Sequence, residues 1–181
     1  ELGGDTSLEQ CLSEASLAGF IGVEAGGKFP KKSEDLIPKL KQFKLNLCSG
    51  WYPANLRRNS VDEEKNNIQE QLKLFKDCNS PCMVFAEVSD SIQGDPNKRL
   101  STRPRMELDE AKKFYNKISE IGKYLEDEEM PLAYHHHMGT VIETEEDTIR
   151  LLENTHDSVK LTLDTGPVSY THLRAHETVK N

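Results

Sequence analysis

The sequence predicts an α/β fold built on a parallel sheet, part of a (β/α)8 barrel with about five of the eight strands present. Three observations predict it. Segments of strand period and helical period alternate five times, no hairpin signal joins consecutive strands, and nearly every strand ends in a chemically able side chain. Strands separated by amphipathic helices need right-handed crossovers, which bury a parallel sheet on both faces. An open doubly wound sheet fits the same alternation. However, no G-x-G-x-x-G follows a strand, and the longest loop, residues 89–106, follows a strand as loops on the catalytic face of a barrel do. The barrel is favoured.

In order, residues 7–18 place Leu8, Cys11, Leu12, Ala15 and Leu17 at helical spacing, with Asp5 or Thr6 as cap and Gly19 as stop. Residues 20–24 (F-I-G-V-E) read as a short strand. Residues 33–43 form a helix with Glu34 and Asp35 in its first turn and lysines towards its end, as the helix dipole prefers. A strand over 45–49 is expected to break at Gly50, and 61–77 is one long helix with Ile68, Leu72 and Phe75 on one face. Strand 82–88, with Met83 and Phe85 as core, is followed by helix 107–126, strand 132–137, helix 145–154 and strand 159–164.

The length of 181 residues suits one domain. Net charge is −8, from 23 basic and 31 acidic residues, which argues against nucleic acid as a partner because phosphate binding draws on clustered Lys and Arg. No apolar run approaches membrane-spanning length, no signal peptide is expected, and the chain opens at Glu1 without Met, as a fragment would. Cys11, Cys48, Cys78 and Cys82 lie singly or as a loose C-x3-C, and are expected to be buried free thiols of a reducing cytosol. Gly26-Gly27-Lys28 lacks the rest of a phosphate-binding loop, and the lysines of residues 28–44 read as a solvated face.

Glu24, Trp51, Glu87, the run His135-His136-His137 and Asp164 fall at or just past strand ends, which converge on one mouth in a parallel barrel. A polar residue starting a solvated loop explains any one of them; five in register favour a site. Alternation aims Thr162 with Asp164, and His135 with His137, to one face, and His136 to the other. Neutral imidazoles there suit a divalent ion or substrate, with core histidines as the alternative. By composition alone, Glu143, Glu145 and Glu146 are the acidic first turn of a helix.

The blocks ELGGDTSLEQCLSEASLAGFIGVEAGGKFP, SGWY, VFAEVSDSIQGD, LAYHHHMGTVIETEED and LDTG resemble the inosose dehydratases of inositol catabolism, in family order from Glu1 to about Gly166. The resemblance implies a xylose-isomerase-like TIM barrel and a cytoplasmic lyase. Its reaction would remove water from scyllo-inosose to give a trihydroxycyclohexane-1,2-dione, with Co²⁺ or Mn²⁺ as cofactor and glutathione associated. It implies Glu143 and Asp164 as metal ligands, Asp164 on strand position as well. His137 and His135 are assigned to proton transfer or substrate orientation, with Glu87 also catalytic. Glu24 lines the mouth, Trp51 is an apolar wall for the ring, and Gln93 is a hydroxyl contact. The expected partner is a small cyclitol ketone, with no nucleic acid or membrane, in a possible homo-oligomer of the intact protein. A sugar epimerase or isomerase of the same superfamily, or an inert fragment, are the alternatives.

Ala25 stands where the family commonly has Lys, and Pro167 where His usually follows L-D-T-G. From Val168 the sequence leaves the family and resembles a translated sequencing adapter. The expected division is therefore a partial barrel over 1–166 and a disordered tail over 167–181, so that His172 and His176 carry no function. A chain with open sheet edges and half its metal ligands is not expected to be a competent enzyme by itself.

Overall fold

The computed structural model describes residues 4–164. Five strands, β1 (Gly22–Ala25), β2 (Asn46–Ala54), β3 (Met83–Glu87), β4 (Leu132–His135) and β5 (Val159–Thr162), lie side by side in chain order, and every neighbouring pair is parallel. Helices α1 (Leu8–Leu17), α2 (Ser33–Gln42), α3 (Val61–Asn67), α4 (Gln69–Asp77), α5 (Leu108–Asp127) and α6 (Glu145–Glu153) alternate with them. The predicted barrel order is therefore present for five strands, and the expected division at residue 166 lies outside the described residues.

The helix starts follow from their caps. The Ser7 side chain accepts from the Gln10 amide, so Ser7, rather than Asp5 or Thr6, caps α1. Ser60 with Glu63 and Thr144 with Asp147 form reciprocal capping boxes on α3 and α6. The acidic first turn of α6 is thus real. The expected single helix over 61–77 is instead interrupted at Ile68, directly after Asn66 and Asn67, which are weak helix formers.

The core lies between the outer face of the sheet and the helices. Tyr52, Phe85 and Tyr134 are register neighbours on β2, β3 and β4, with successive ring centroids 5.4 and 6.4 Å apart. Tyr52 donates its hydroxyl to buried Glu64 on α3 at 2.7 Å, which fixes this row as helix-facing. Met83 and Phe85 are fully buried, as expected.

Strand β2 departs from expectation because Gly50 does not end it. A Cβ on Gly50 would lie 2.6 Å from Phe75 Cζ, so the missing side chain admits α4 against the strand. The register skips Cys48, with Val23 paired to Leu47 and Glu24 to Ser49. Beyond that bulge, Ser49 Oγ donates to the Cys82 carbonyl and accepts from the Val84 amide, both at 3.1 Å, filling a gap in the ladder. The extra residue carries β2 on to Ala54 and places Trp51 inside the strand.

The cysteines correct the sequence reading. All four are free, but Cys11 and Cys48 are exposed and Cys78 and Cys82 half-buried. The reason is directional: Cys48 is the bulged residue beside Gly22, and α1 buries Leu12 but not Cys11. Phe20 and Ile21, expected in β1, instead precede it and are exposed.

Candidate active site at the strand ends

Alternation from the helix-facing tyrosine row sends Trp51 on β2 and His135 on β4 to the concave face of the sheet. There Trp51 meets His135 and His137 edge-on, with ring centroids 4.9 and 5.3 Å away, and the two histidines are 5.5 Å apart. His135 Nε2 lies 3.0 Å from Asp164 Oδ2. An ionised Asp164 only accepts, so Nε2 donates and the neutral ring keeps Nδ1 as a proton acceptor. Burial, reinforced by neighbouring His137, lowers the His135 pKa, and this outweighs the pull of Asp164 in the other direction. The His135 ring is therefore held towards its neutral form.

Glu24, on the opposite edge strand, feels the same mouth. Desolvation in the concavity, and then the negative charge of Asp164, raise its carboxyl above the ordinary range. A carboxyl that holds its proton longer can donate a hydrogen bond to a hydroxyl. His137 is turned by a 2.8 Å contact from Nδ1 to the Met138 carbonyl, and it lines a cavity of about 320 Å³ together with Gln93 and Met138. Glu24, Trp51, Gln93, His135, His137 and Asp164 thus gather on one end of the sheet.

Glu87 does not join them, which corrects its expected place at the mouth. Period two puts it on the face of Met83 and Phe85, where it is 0% exposed. Its oxygens accept from the Ser89 amide at 2.7 Å and the Arg57 amide at 3.2 Å, tying together the loops after β2 and β3. Burial raises its pKa, and the same hydrogen bonds partly offset the rise.

Glu143 sits in a different environment from Asp164. Its Oε2 accepts from the Gly139 amide at 2.7 Å, and its Oε1 lies 3.6 Å from Nε of the buried Arg103. Arg103 reaches further, donating to Asp147 at 2.6 Å and to the carbonyls of Thr140 and Val141 at 3.1 and 3.3 Å. Burial would raise the Asp147 pKa, but the Thr144 cap bonds and Arg103 outweigh it and hold the carboxyl below its ordinary range. Sequence reasoning missed Arg103, an isolated basic residue in T-R-P-R of the long loop, where no periodicity operates.

Gly139 explains how the two loops close on each other. Its φ is +78°, and a Cβ there would come 2.8 Å from the Gln93 amide nitrogen. The Ile92 amide donates to the Gly139 carbonyl at 3.0 Å, so the 89–106 loop is fastened to the loop that carries His137 and Glu143.

A divalent ion needs more donors than this arrangement gathers. Glu143 already faces a guanidinium and Asp164 an imidazole, and among the described residues no three His, Cys, Asp or Glu side chains group to hold a metal. The described residues therefore do not fit the ion unaided. No described helix is long and apolar enough to cross a membrane.

The chain is 39% identical over 166 residues to the rhizopine catabolism protein MocC of Rhizobium meliloti, covering 92% of this chain and 51% of that protein. It is 35% identical over 169 residues to an inosose dehydratase of Mesomycoplasma hyopneumoniae, covering 92% of this chain and 55% of that one. The chain thus spans about half the length of the curated relatives it matches. No family model matches. A xylose isomerase-like TIM barrel protein from Mycobacterium smegmatis, solved in complex with magnesium, superposes with a TM-score of 0.68 at 14% identity, over 92% of this chain and 58% of that one. A probable 3-DHS dehydratase, AsbF from Bacillus anthracis, gives 0.64 at 16% identity, over 87% and 57%. These two likenesses show the fold.

Proposed function

We propose that the chain, which is similar to inosose dehydratases over about half their length, is part of such an enzyme and forms the acid–base half of an active site eliminating water from scyllo-inosose. The observation that carries this reading is the His135–Asp164 hydrogen bond beside Trp51 and His137 at one mouth. Dehydration breaks a C–H bond α to the ketone, with the proton going to His135 Nδ1 and the electron pair onto the carbonyl oxygen as an enediolate. The enediolate then re-forms its carbonyl as the β C–O bond breaks, hydroxide leaves as water with a proton from His137, and the resulting enol tautomerises to the 1,2-dione. Assistance of this kind contributes about 10²–10⁴-fold. Trp51 offers its face to the ring C–H groups, and Glu24 and Gln93 take hydroxyls. Glu87 has no open surface and supports the loops.

A divalent ion, Co²⁺ or Mn²⁺, is part of the proposal, with Glu143 and Asp164 as this chain's contribution and further donors outside residues 4–164. The magnesium of the Mycobacterium smegmatis barrel supports an ion in this fold. Glutathione association and a cytoplasmic location are carried by the same resemblance and are parts of the same proposal.

The test is a chimera in which residues 4–164 replace the matching part of the Mesomycoplasma hyopneumoniae inosose dehydratase, incubated with scyllo-inosose. Growth of diketone absorbance supports elimination. Exchange of the α-hydrogen for solvent deuterium without diketone would mean the epimerase chemistry, and neither signal in a folded chimera would overturn the site.

A further inference from the structure

A positively lined cleft on the helix side of the molecule shares no lining residue with the mouth. It opens between the first half of α5 and the length of α6 and has a volume of about 490 Å³. Arg103, Arg105, Lys112 and Arg150 line it against a single carboxylate, Asp147, in a chain whose net charge is −8. Those cations are not equivalent. Arg103 is compensated by Asp147 and Glu143, and Arg150 by Glu146 one turn away. Among the described residues, Arg105 and Lys112 have no ion-pair partner. Two uncompensated cations in one concavity with low-dielectric walls focus a positive field within a chain that is acidic as a whole. The floor is apolar, formed by Met106, Val141 and Ile142, and Tyr115 stands in the wall.

We propose that this cleft binds a small organic anion, a carboxylate or phosphate group on an apolar body, with the charge on Arg105 and Lys112 and the body on Val141 and Ile142. The cleft's size suits a compact ligand rather than a polyanion. Binding also reaches the mouth side, because the guanidinium of Arg103 in the cleft wall is the one that holds Glu143 and the Thr140 and Val141 carbonyls. The inference does not depend on the reaction carried out at the strand ends.

Competitive acetylation of the full 181-residue chain, read by mass spectrometry, tests it with phenyl phosphate as probe. Lys112 becomes protected at millimolar probe or below, while Lys41 and Lys44 on the α2 side do not, and benzyl alcohol protects neither. Arg105→Glu raises the concentration for half-protection of Lys112 by about tenfold or more, since a hydrogen bond to a charged group is lost. Arg105→Ala gives a smaller shift in the same direction, with circular dichroism unchanged because Arg105 is exposed. Equal protection of all three lysines, protection by benzyl alcohol, or an unchanged midpoint in both Arg105 variants would overturn the proposal.

Discussion

Asp164 is the residue on which the acid–base reading turns. Replacing it with Asn keeps the shape but removes the obligate acceptor, so the amide can donate to His135 Nε2 and leave the wrong ring nitrogen protonated. In the chimera, Asp164→Asn is expected to lower kcat by about 10²–10⁴-fold. The His135 pKa is lowered, so the acid limb of the wild-type pH profile should fall at a pH below the ordinary imidazole value of about 6.5. A normal kcat in Asp164→Asn, or an acid limb well above that value, would remove the dyad from the mechanism. Arg103 is a second such residue, through stability. Arg103→Met leaves Glu143 and Asp147 without their buried cation, and breaking a buried pair this way costs about 3–5 kcal/mol. Urea unfolding midpoints read this directly.

Elements matter here mainly through what their ends hold. The loop from His137 to Glu143 is fixed by the Gly139 turn and by Arg103 from the preceding long loop, so two βα loops are tied together. Gly139→Ala must adopt a positive φ and push Gln93 away, and should cost about 1–3 kcal/mol while loosening both loops. Faster amide exchange at Ile92, which donates to Gly139, is the sign to look for. The buried ends of β3 and α6 respond to pH in opposite senses. Asp147 has a lowered folded pKa, so its contribution is present above its unfolded value and is lost as pH falls through the folded one. Glu87 has a raised folded pKa, so its contribution is full below the unfolded value and fades as pH rises through the folded one. Relative to Glu87→Gln, the wild-type chain should therefore lose stability from acid towards neutral pH. A flat difference between pH 4 and 7 would contradict that sign.

For the whole molecule, the sheet's two edge strands set the behaviour. Among the described residues β1 and β5 each have one partner strand, and the apolar residues left in water cluster beside them. Leu17, Phe20 and Ile21 are exposed near β1, and Ile149, Leu152 and Leu163 near β5. Unpaired N–H and C=O groups next to apolar side chains template further pairing. The isolated 181-residue chain should therefore bind ANS and associate with rising concentration, and should not turn over scyllo-inosose. A monomer by light scattering with a sharp melt and metal-dependent dehydration would refute this, and would mean that residues outside 4–164 cover the edges.

Much of this was legible in the sequence, because periodicity is a local property. The alternation of F-I-G-V-E, M-V-F-A-E and L-T-L-D with amphipathic helices carries strand number, order and parallel pairing, since a crossover helix leaves no other choice. Strand-end position likewise brought His135, His137, Trp51 and Glu24 to one mouth. The tertiary structure alone decided the rest. Whether Glu87 looks into the mouth or the helix layer depends on one residue of register, and the skipped Cys48 that lets β2 run to Ala54 is set by the pairing of β2 with β1. Arg103 found Glu143 across 40 positions of chain through an irregular loop, where no repeat announces a partner. Buried charge is compensated by whatever the fold brings near, and that is a property of three dimensions rather than of spacing along the chain.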